Sequence, residues 1–155
     1  YCRVVNQSHY QRIKSLLDNA EEQGAKIFFG GETNDQQRFI APTLLTDIPP
    51  ESDIMQQEIF GPVLVMIPYD SEEEAIRIAN DTPYGLAGYV QSGDLDHARR
   101  IASRIRAGNV HINGASGGFD VPFGGYKQSG NGREWGAHGF TDYLEIKAIE
   151  GYDAA

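Results

Sequence analysis

The fold class follows from residues 62–112, which read PVLVMIPYDSEEEAIRIANDTPYGLAGYVQSGDLDHARRIASRIRAGNVHI. This stretch holds three apolar and β-branched runs, Pro62–Pro68, Leu86–Gln91 and Asn109–Ile112. Two amphipathic segments with helical periodicity separate them. Strands that alternate with helices through short joints favour right-handed crossovers and a parallel sheet. The sequence therefore predicts an α/β fold with a mostly parallel sheet and flanking helices.

Both helices in this stretch have recognisable ends. Ser71 and Glu74 have the spacing of a capping box, in which a hydroxyl and a carboxylate accept from free backbone N–H groups at the helix start. This box opens a predicted helix that runs to Asn80. Asp94 is suited to cap the second helix, and Gly108 is suited to end it. We interpret the capping box as a structural feature.

The segment before residue 62 carries shorter patterns. Apolar residues at spacings of three and four predict an amphipathic helix over Ser8–Gln23. Ile27–Phe29 is predicted as a short strand, and Arg38–Thr46 as an extended segment interrupted by Pro42. A short helix or turn is expected over residues 52–57.

A glycine-rich stretch follows Asn113, and long loops of this kind inside compact domains are usually functional or disordered. It does not match a phosphate-binding motif. Lys127 is followed by Gln128, where Walker A requires Ser or Thr, and Trp135 stands where a dinucleotide fingerprint needs its third glycine. A direct phosphate cradle is therefore disfavoured. The chain closes with a predicted strand over Thr141–Ile149.

Composition excludes several classes of protein. The 155 residues suit one domain, and the formal charge of -9 argues against a nucleic-acid partner. The longest apolar run, Ile59–Ile67, is too short to span a bilayer. The lone Cys2 fits a reducing compartment, and the histidines show no metal-ligand spacing. We expect a soluble cytoplasmic protein without a membrane or nucleic-acid partner, and the start at Tyr1 suggests a piece of a longer chain.

Three segments carry a more specific signal. They are QEIFGPVL at 57–64, NDTPYGLA at 80–87, and PFGGYKQSG at 122–130 followed by GRE at 132–134. In this order they resemble motifs of the NAD(P)-dependent aldehyde dehydrogenases. The resemblance covers essentially the whole chain. It implies that residues 1–140 are the C-terminal part of the catalytic domain and that residues 141–155 are an oligomerisation strand and tail.

The resemblance also implies a reaction. Such an enzyme oxidises an aldehyde to a carboxylic acid with NAD or NADP through a cysteine thiohemiacetal and a thioester. In the family the nucleophilic cysteine, the general base and the Rossmann-like domain lie upstream of the segments seen here. Cys2 is therefore not expected to be the nucleophile, and this chain alone is expected to be inactive. Two alternatives stay open: a stand-alone, non-catalytic assembly module of the same fold, and a related acyl-phosphate reductase.

Cofactor-binding residues are implied in the first motif. Glu58 corresponds to a carboxylate that accepts hydrogen bonds from the nicotinamide-ribose hydroxyls, for which its two oxygens are suited. The alternative for Glu58 is a helix or turn cap. Phe60 corresponds to an aromatic residue that packs near the nicotinamide, with a place in the core as its alternative.

The third motif implies catalytic and binding roles. Glu134 corresponds to a proton-relay glutamate, with a salt bridge to Arg133 or Lys127 as its alternative. The backbone carbonyls of Lys127 and Gly130 match a site for a monovalent cation. The resemblance places Phe123 in the lining of the aldehyde tunnel, and Phe119 is assigned the same role.

The resemblance implies a partner for the predicted terminal strand. An exposed strand edge seeks another strand. Thr141–Ile149 is therefore expected to pair with another subunit, which gives a homo-oligomer, either a dimer or a tetramer. The small-molecule partner is an aldehyde.

Overall fold

The computed structural model describes residues 3–151, and contacts divide the chain into two compact units, one up to Ala75 and one from Ile76. The described residues form five α-helices and small sheets, so the predicted α/β class is confirmed. No helix in this range is long and apolar enough to cross a membrane. Cys2 lies outside the described residues.

The first unit begins with α1, Gln7–Glu22, which agrees with the predicted helix to within one residue at each end. The side chain of Asn6 caps it by accepting from the His9 N–H at 2.8 Å. One face of α1 enters the core. The core cluster consists of Tyr10, Ile13, Leu17, Ala20, Ala25, Ile40, Leu45 and Ile54.

The main sheet of the first unit has three strands. β1 (Lys26–Phe29) pairs antiparallel with β4 (Thr43–Thr46), and β4 pairs parallel with β5 (Val63–Val65). A second ladder joins β2 (Thr33–Asn34) to β3 (Phe39–Ile40). The proline predicted to interrupt this region lies between β3 and β4. A short helix, α2, follows at Asp53–Gln56.

The capping box opens α3, Glu72–Asn80, as predicted. The Ser71 hydroxyl accepts from the Glu74 N–H at 3.2 Å. The Glu74 carboxylate accepts from the N–H of Asp70 at 2.9 Å, one residue before the cap. Two donors that the helix itself cannot satisfy are therefore paired.

The second unit contains the predicted parallel pair. β6 (Ala87–Val90) and β7 (Asn109–Ile112) pair in parallel through the crossover helix α4 (Leu95–Ala102). Asp94 caps α4 by accepting from the N–H groups of Asp96 and His97. β5 differs from the prediction, because it pairs with β4 and not with this pair. An apolar run predicts a strand, whereas its partner is set by tertiary packing.

The C-terminal region corrects one prediction. A 3₁₀ turn, η1, covers Lys127–Ser129, and α5 covers Gly136–Thr141. Thr141 thus ends a helix, and residues 145–150 have no regular secondary structure, so the predicted strand Thr141–Ile149 is not formed. A strand needs a hydrogen-bonded neighbour, and in the described part of the chain none pairs with this segment.

Candidate functional site

The motif at residues 58–60 is held by two side chains from α1. Arg12 donates from Nη2 to the carbonyl oxygen of Glu58 at 2.7 Å and from Nη1 to that of Ile59 at 3.0 Å. The Nε2 atom of His9 lies 2.7 Å from the carbonyl oxygen of Phe60. Since a carbonyl only accepts, His9 carries a proton on Nε2. Three successive carbonyls are thereby held by side chains one helical turn apart.

This arrangement directs Phe60 outward. Its backbone is left-handed, with φ of 53°, which is costly for a residue with a bulky side chain. Gly61 allows the close approach to α1, because a Cβ there would lie 2.7 Å from the Cδ1 atom of Ile13. Phe60 is 72% exposed, so it is not part of the core that the described residues form.

Glu58 presents its carboxylate in the same region. The side chain is exposed, and among the described residues its carboxylate has no hydrogen-bond or ion-pair partner. It caps neither α2 nor a turn in this structure. A carboxylate without a protein partner is free to accept from a ligand.

A surface cleft with a volume of about 520 Å³ adjoins the Phe60 ring. It combines apolar walls with two side chains that can donate hydrogen bonds. The residues that line it are Arg3, Val4, Val5, His9, Phe60, Gly61 and Pro62. The size and composition suit part of a small-molecule site.

In the second unit, the segments at 80–87 and 122–130 are bonded to each other. The Tyr126 N–H donates to the Gly85 carbonyl at 2.9 Å, and the Gln128 N–H donates to that of Pro83 at 3.0 Å. The Gly85 N–H donates to the hydroxyl of Ser129 at 3.0 Å. Two motifs that lie far apart in the sequence thus form one structural joint.

The side chain of Asn80 makes further hydrogen bonds beside this joint. Its Nδ2 donates to the carbonyl of Arg104 at 2.9 Å, and its Oδ1 accepts from the N–H of Arg106 at 2.7 Å. The side chain therefore ties the end of α3 to the connection between α4 and β7. This role is structural, and no sequence pattern indicated it.

Lys127 uses its side chain differently from the prediction, which concerned only its carbonyl. Its ammonium donates to the carbonyls of Asn80 at 2.7 Å and Thr82 at 2.9 Å. The carbonyl of Lys127 accepts from the Gly130 N–H at 3.4 Å, which is a long bond. The carbonyls of Lys127 and Gly130 thus lie in one short turn.

Glu134 is fixed through its backbone. Its N–H and C=O exchange hydrogen bonds with those of Phe123 at 2.7 and 2.8 Å, which closes residues 123–134 into a loop. The side chain of Glu134 is exposed. The alternative, a salt bridge to Arg133 or Lys127, is not formed among the described residues, because the Lys127 ammonium and the Arg133 guanidinium both donate to backbone carbonyls.

The two predicted tunnel residues lie on either side of a third aromatic residue. The centroid of the Trp135 ring lies 4.8 Å from that of the Phe119 ring, edge to face, and 4.9 Å from that of the Phe123 ring. Phe119 is 78% exposed, so this cluster presents an aromatic surface. No sequence pattern indicated Trp135, although it is the single tryptophan of the 155 residues and directly follows Glu134.

Metal ligation by side chains has no candidate in the described range. Residues 3–151 hold no group of three His, Cys, Asp or Glu side chains that could bind a metal ion. A cation at the turn of Lys127 and Gly130 would depend on backbone carbonyls, which suit hard cations.

Comparison with known proteins gives one family. The profile described as the aldehyde dehydrogenase family matches residues 3–149. A 3-succinoylsemialdehyde-pyridine dehydrogenase from a Pseudomonas species is 47% identical over 150 residues, which is 94% of this chain and 31% of that protein. A putative aldehyde dehydrogenase from Staphylococcus saprophyticus is 44% identical over 96% of this chain and 32% of its own length.

Solved structures agree. Aldehyde dehydrogenase C from Pseudomonas syringae, in complex with NAD+ and octanal, superposes with a TM-score of 0.89 at 46% identity, covering 99% of this chain and 32% of that one. A Mycobacterium tuberculosis aldehyde dehydrogenase with NAD+ gives 0.86 at 40% identity over 92% of this chain and 30% of its own. The chain spans about a third of the length of the relatives it matches.

Proposed function

The chain belongs to the aldehyde dehydrogenase family, and from this membership we propose that the whole protein oxidises an aldehyde to a carboxylic acid with NAD(P). The proposal places this chain in the C-terminal third of the enzyme, with the nucleophilic cysteine and the Rossmann domain in an N-terminal region. When bound, NAD(P) accepts the hydride. The NAD+ complexes of similar structures support NAD in particular.

The cofactor roles of Glu58 and Phe60 are supported by one observation. An unpaired carboxylate and an outward-facing aromatic ring stand two residues apart on a backbone held by α1. This pair fits a ligand with a diol and a flat ring. Glu58 accepts from the ribose hydroxyls, and Phe60 packs against the nicotinamide, so that the reactive face of the ring is oriented.

The loop at residues 123–134 supplies the proposed groups of the second unit. Glu134 moves a proton as part of a relay, for which its carboxylate is available because no cation within residues 3–151 pairs with it. Phe123 and Phe119 line the aldehyde path, together with Trp135. The relative in complex with octanal supports an apolar aldehyde. The carbonyls of Lys127 and Gly130 hold a monovalent cation.

Assembly is proposed through the C-terminal segment. Residues 1–140 form part of the catalytic domain and residues 141–155 form the oligomerisation segment, in which residues 145–149 become a strand on pairing with a second copy. Exposed apolar side chains support this, since Tyr143 is 85% and Ile146 is 96% exposed. The acidic composition and the single cysteine are the basis for a proposed cytoplasmic location.

The test compares the whole protein with the 155-residue chain. Each is assayed with NAD and a medium-chain aliphatic aldehyde, and NADH is followed by absorbance. We expect turnover only by the whole protein. Turnover by the 155-residue chain would contradict the proposed location of the nucleophile. NADPH-dependent reduction of an acyl phosphate would favour the reductase, and inactivity of an assembled whole protein would favour the module.

A further inference from the structure

The side chain of Lys127 has a role that the proposed function does not use. Its ammonium is half-buried and donates to the carbonyls of Asn80 and Thr82. Asn80 is the last residue of α3, so its carbonyl is one of those that the helix leaves without an internal partner. A cation at this end also interacts favourably with the helix dipole.

The backbone of Lys127 is shaped for this contact. Its φ is 56°, a left-handed conformation that a lysine adopts only when its surroundings require it. Its neighbours are bonded to the same segment, through the N–H of Gln128 and the hydroxyl of Ser129. The tip of the loop is thus attached to residues 80–85 at several points.

The other end of the loop holds the proposed catalytic group. Phe123 and Glu134 exchange two backbone hydrogen bonds, and Arg133 donates to the carbonyl of Gly125 at 2.9 Å. Between these ends the loop contains four glycines, and the guanidinium of Arg133, next to Glu134, lies 5.3 Å from the centre of the Tyr126 ring. Anchoring its tip therefore restricts the orientations that its base can adopt.

We infer that Lys127 is a positioning residue. Its ammonium donates to the carbonyls of Asn80 and Thr82, anchors the loop at residues 123–134, and so orients Glu134 and Phe123. The consequence for catalysis rests on the proposed function, whereas the anchoring of the loop does not. It can be measured without turnover, so its failure and that of the proposed function are distinguishable.

Trp135, the single tryptophan of the 155-residue chain, reports on the loop in that chain because it directly follows Glu134 and packs on Phe123. Lys127→Met keeps the length of the side chain but removes its charge and donors. We expect red-shifted emission, stronger acrylamide quenching, and amide exchange at Glu134 and Phe123 faster by about tenfold or more. Lys127→Arg keeps donors for both carbonyls and should restore the spectrum and the protection.

The matched control is Lys26→Met, which removes an exposed ion pair with Asp47 in the other unit and should leave Trp135 unchanged. A Lys127→Met protein with the wild-type spectrum and protection would overturn the inference. If this variant does not fold, Lys127→Gln is measured instead. Its emission, quenching and amide exchange should change in the same direction, but by less. Unfolding of both variants would also overturn it, because the proposed role is local.

Discussion

The guanidinium of Arg12 donates a 2.7 Å hydrogen bond to the carbonyl oxygen of Glu58, and these two residues lie 46 positions apart. A helix at the start of the chain therefore shapes the motif that carries the proposed cofactor ligand. The second donor of Arg12 reaches the next carbonyl, that of Ile59, at 3.0 Å. The fork geometry of arginine suits two adjacent acceptors.

Arg12→Lys should loosen the motif, because an ammonium does not reproduce the planar fork. We expect amide chemical-shift changes at Ile59, Phe60 and Gly61, with a loss of unfolding free energy of about 1 kcal/mol or less. Two-dimensional NMR and urea denaturation measure these effects. Arg99→Lys, at an exposed ion pair on α4, is the control. Unchanged amide signals at the motif in Arg12→Lys would show that the two hydrogen bonds of Arg12 are dispensable.

Tyr10→Phe tests the core of the first unit. The buried Tyr10 hydroxyl donates to Asp35 at 2.5 Å, and burial, followed by this hydrogen bond, raises the pKa of Tyr10 above its ordinary value of 10.0. At neutral pH the variant should lose about 1 kcal/mol of unfolding free energy. A raised folded-state pKa means that this stabilisation is complete below the unfolded pKa and is lost as pH rises through the folded value.

The difference between wild type and Tyr10→Phe should therefore shrink above about pH 10. Urea denaturation at neutral and alkaline pH measures it. Tyr69→Phe, at a tyrosine that is 62% exposed, should have no effect at either pH. A difference that stays constant to strongly alkaline pH would be inconsistent with this account.

Gly108→Ala tests how closely the glycine-rich stretch packs on the parallel pair. A Cβ at Gly108 would lie 1.5 Å from the carbonyl oxygen of Gly124, so the backbone would have to move. We expect a loss of about 3 kcal/mol or more, as for severe overpacking. Gly93→Ala is the matched control, because its Cβ would meet nothing within 4 Å. Equal melting temperatures for the two variants would refute this prediction.

Local patterns predicted the elements well where a single segment contains its own signal. The amphipathic period of α1, the capping box at Ser71 and the interruption at Pro42 were all confirmed. The pairing of strands was harder to predict, because β5 pairs with β4 through packing that no local pattern encodes. The predicted terminal strand is not formed in the described part of this single chain, since strand formation depends on a neighbour.

The candidate site was predictable only in part. The rule that ligands lie at the carboxyl ends of parallel strands points to the loop after β7, and it misses Glu58, which precedes its strand. The resemblance pointed to Glu58 as a proposed ligand, but not to the residues that hold its backbone. His9 lies 51 positions from Phe60, and such a contact becomes visible only in three dimensions. The position of Trp135 between two phenylalanines required the structure for the same reason.

The affinity of the whole protein for NAD, measured for wild type and Glu58→Gln, tests the central claim most directly. The amide keeps the shape of the side chain but loses the charge, so binding should weaken by about tenfold to a hundredfold, as for loss of a charge-assisted hydrogen bond. Glu51→Gln, at another exposed glutamate of the same unit, should bind NAD as the wild type does. Wild-type affinity in a folded Glu58→Gln protein would contradict the assignment of Glu58 as the ribose ligand.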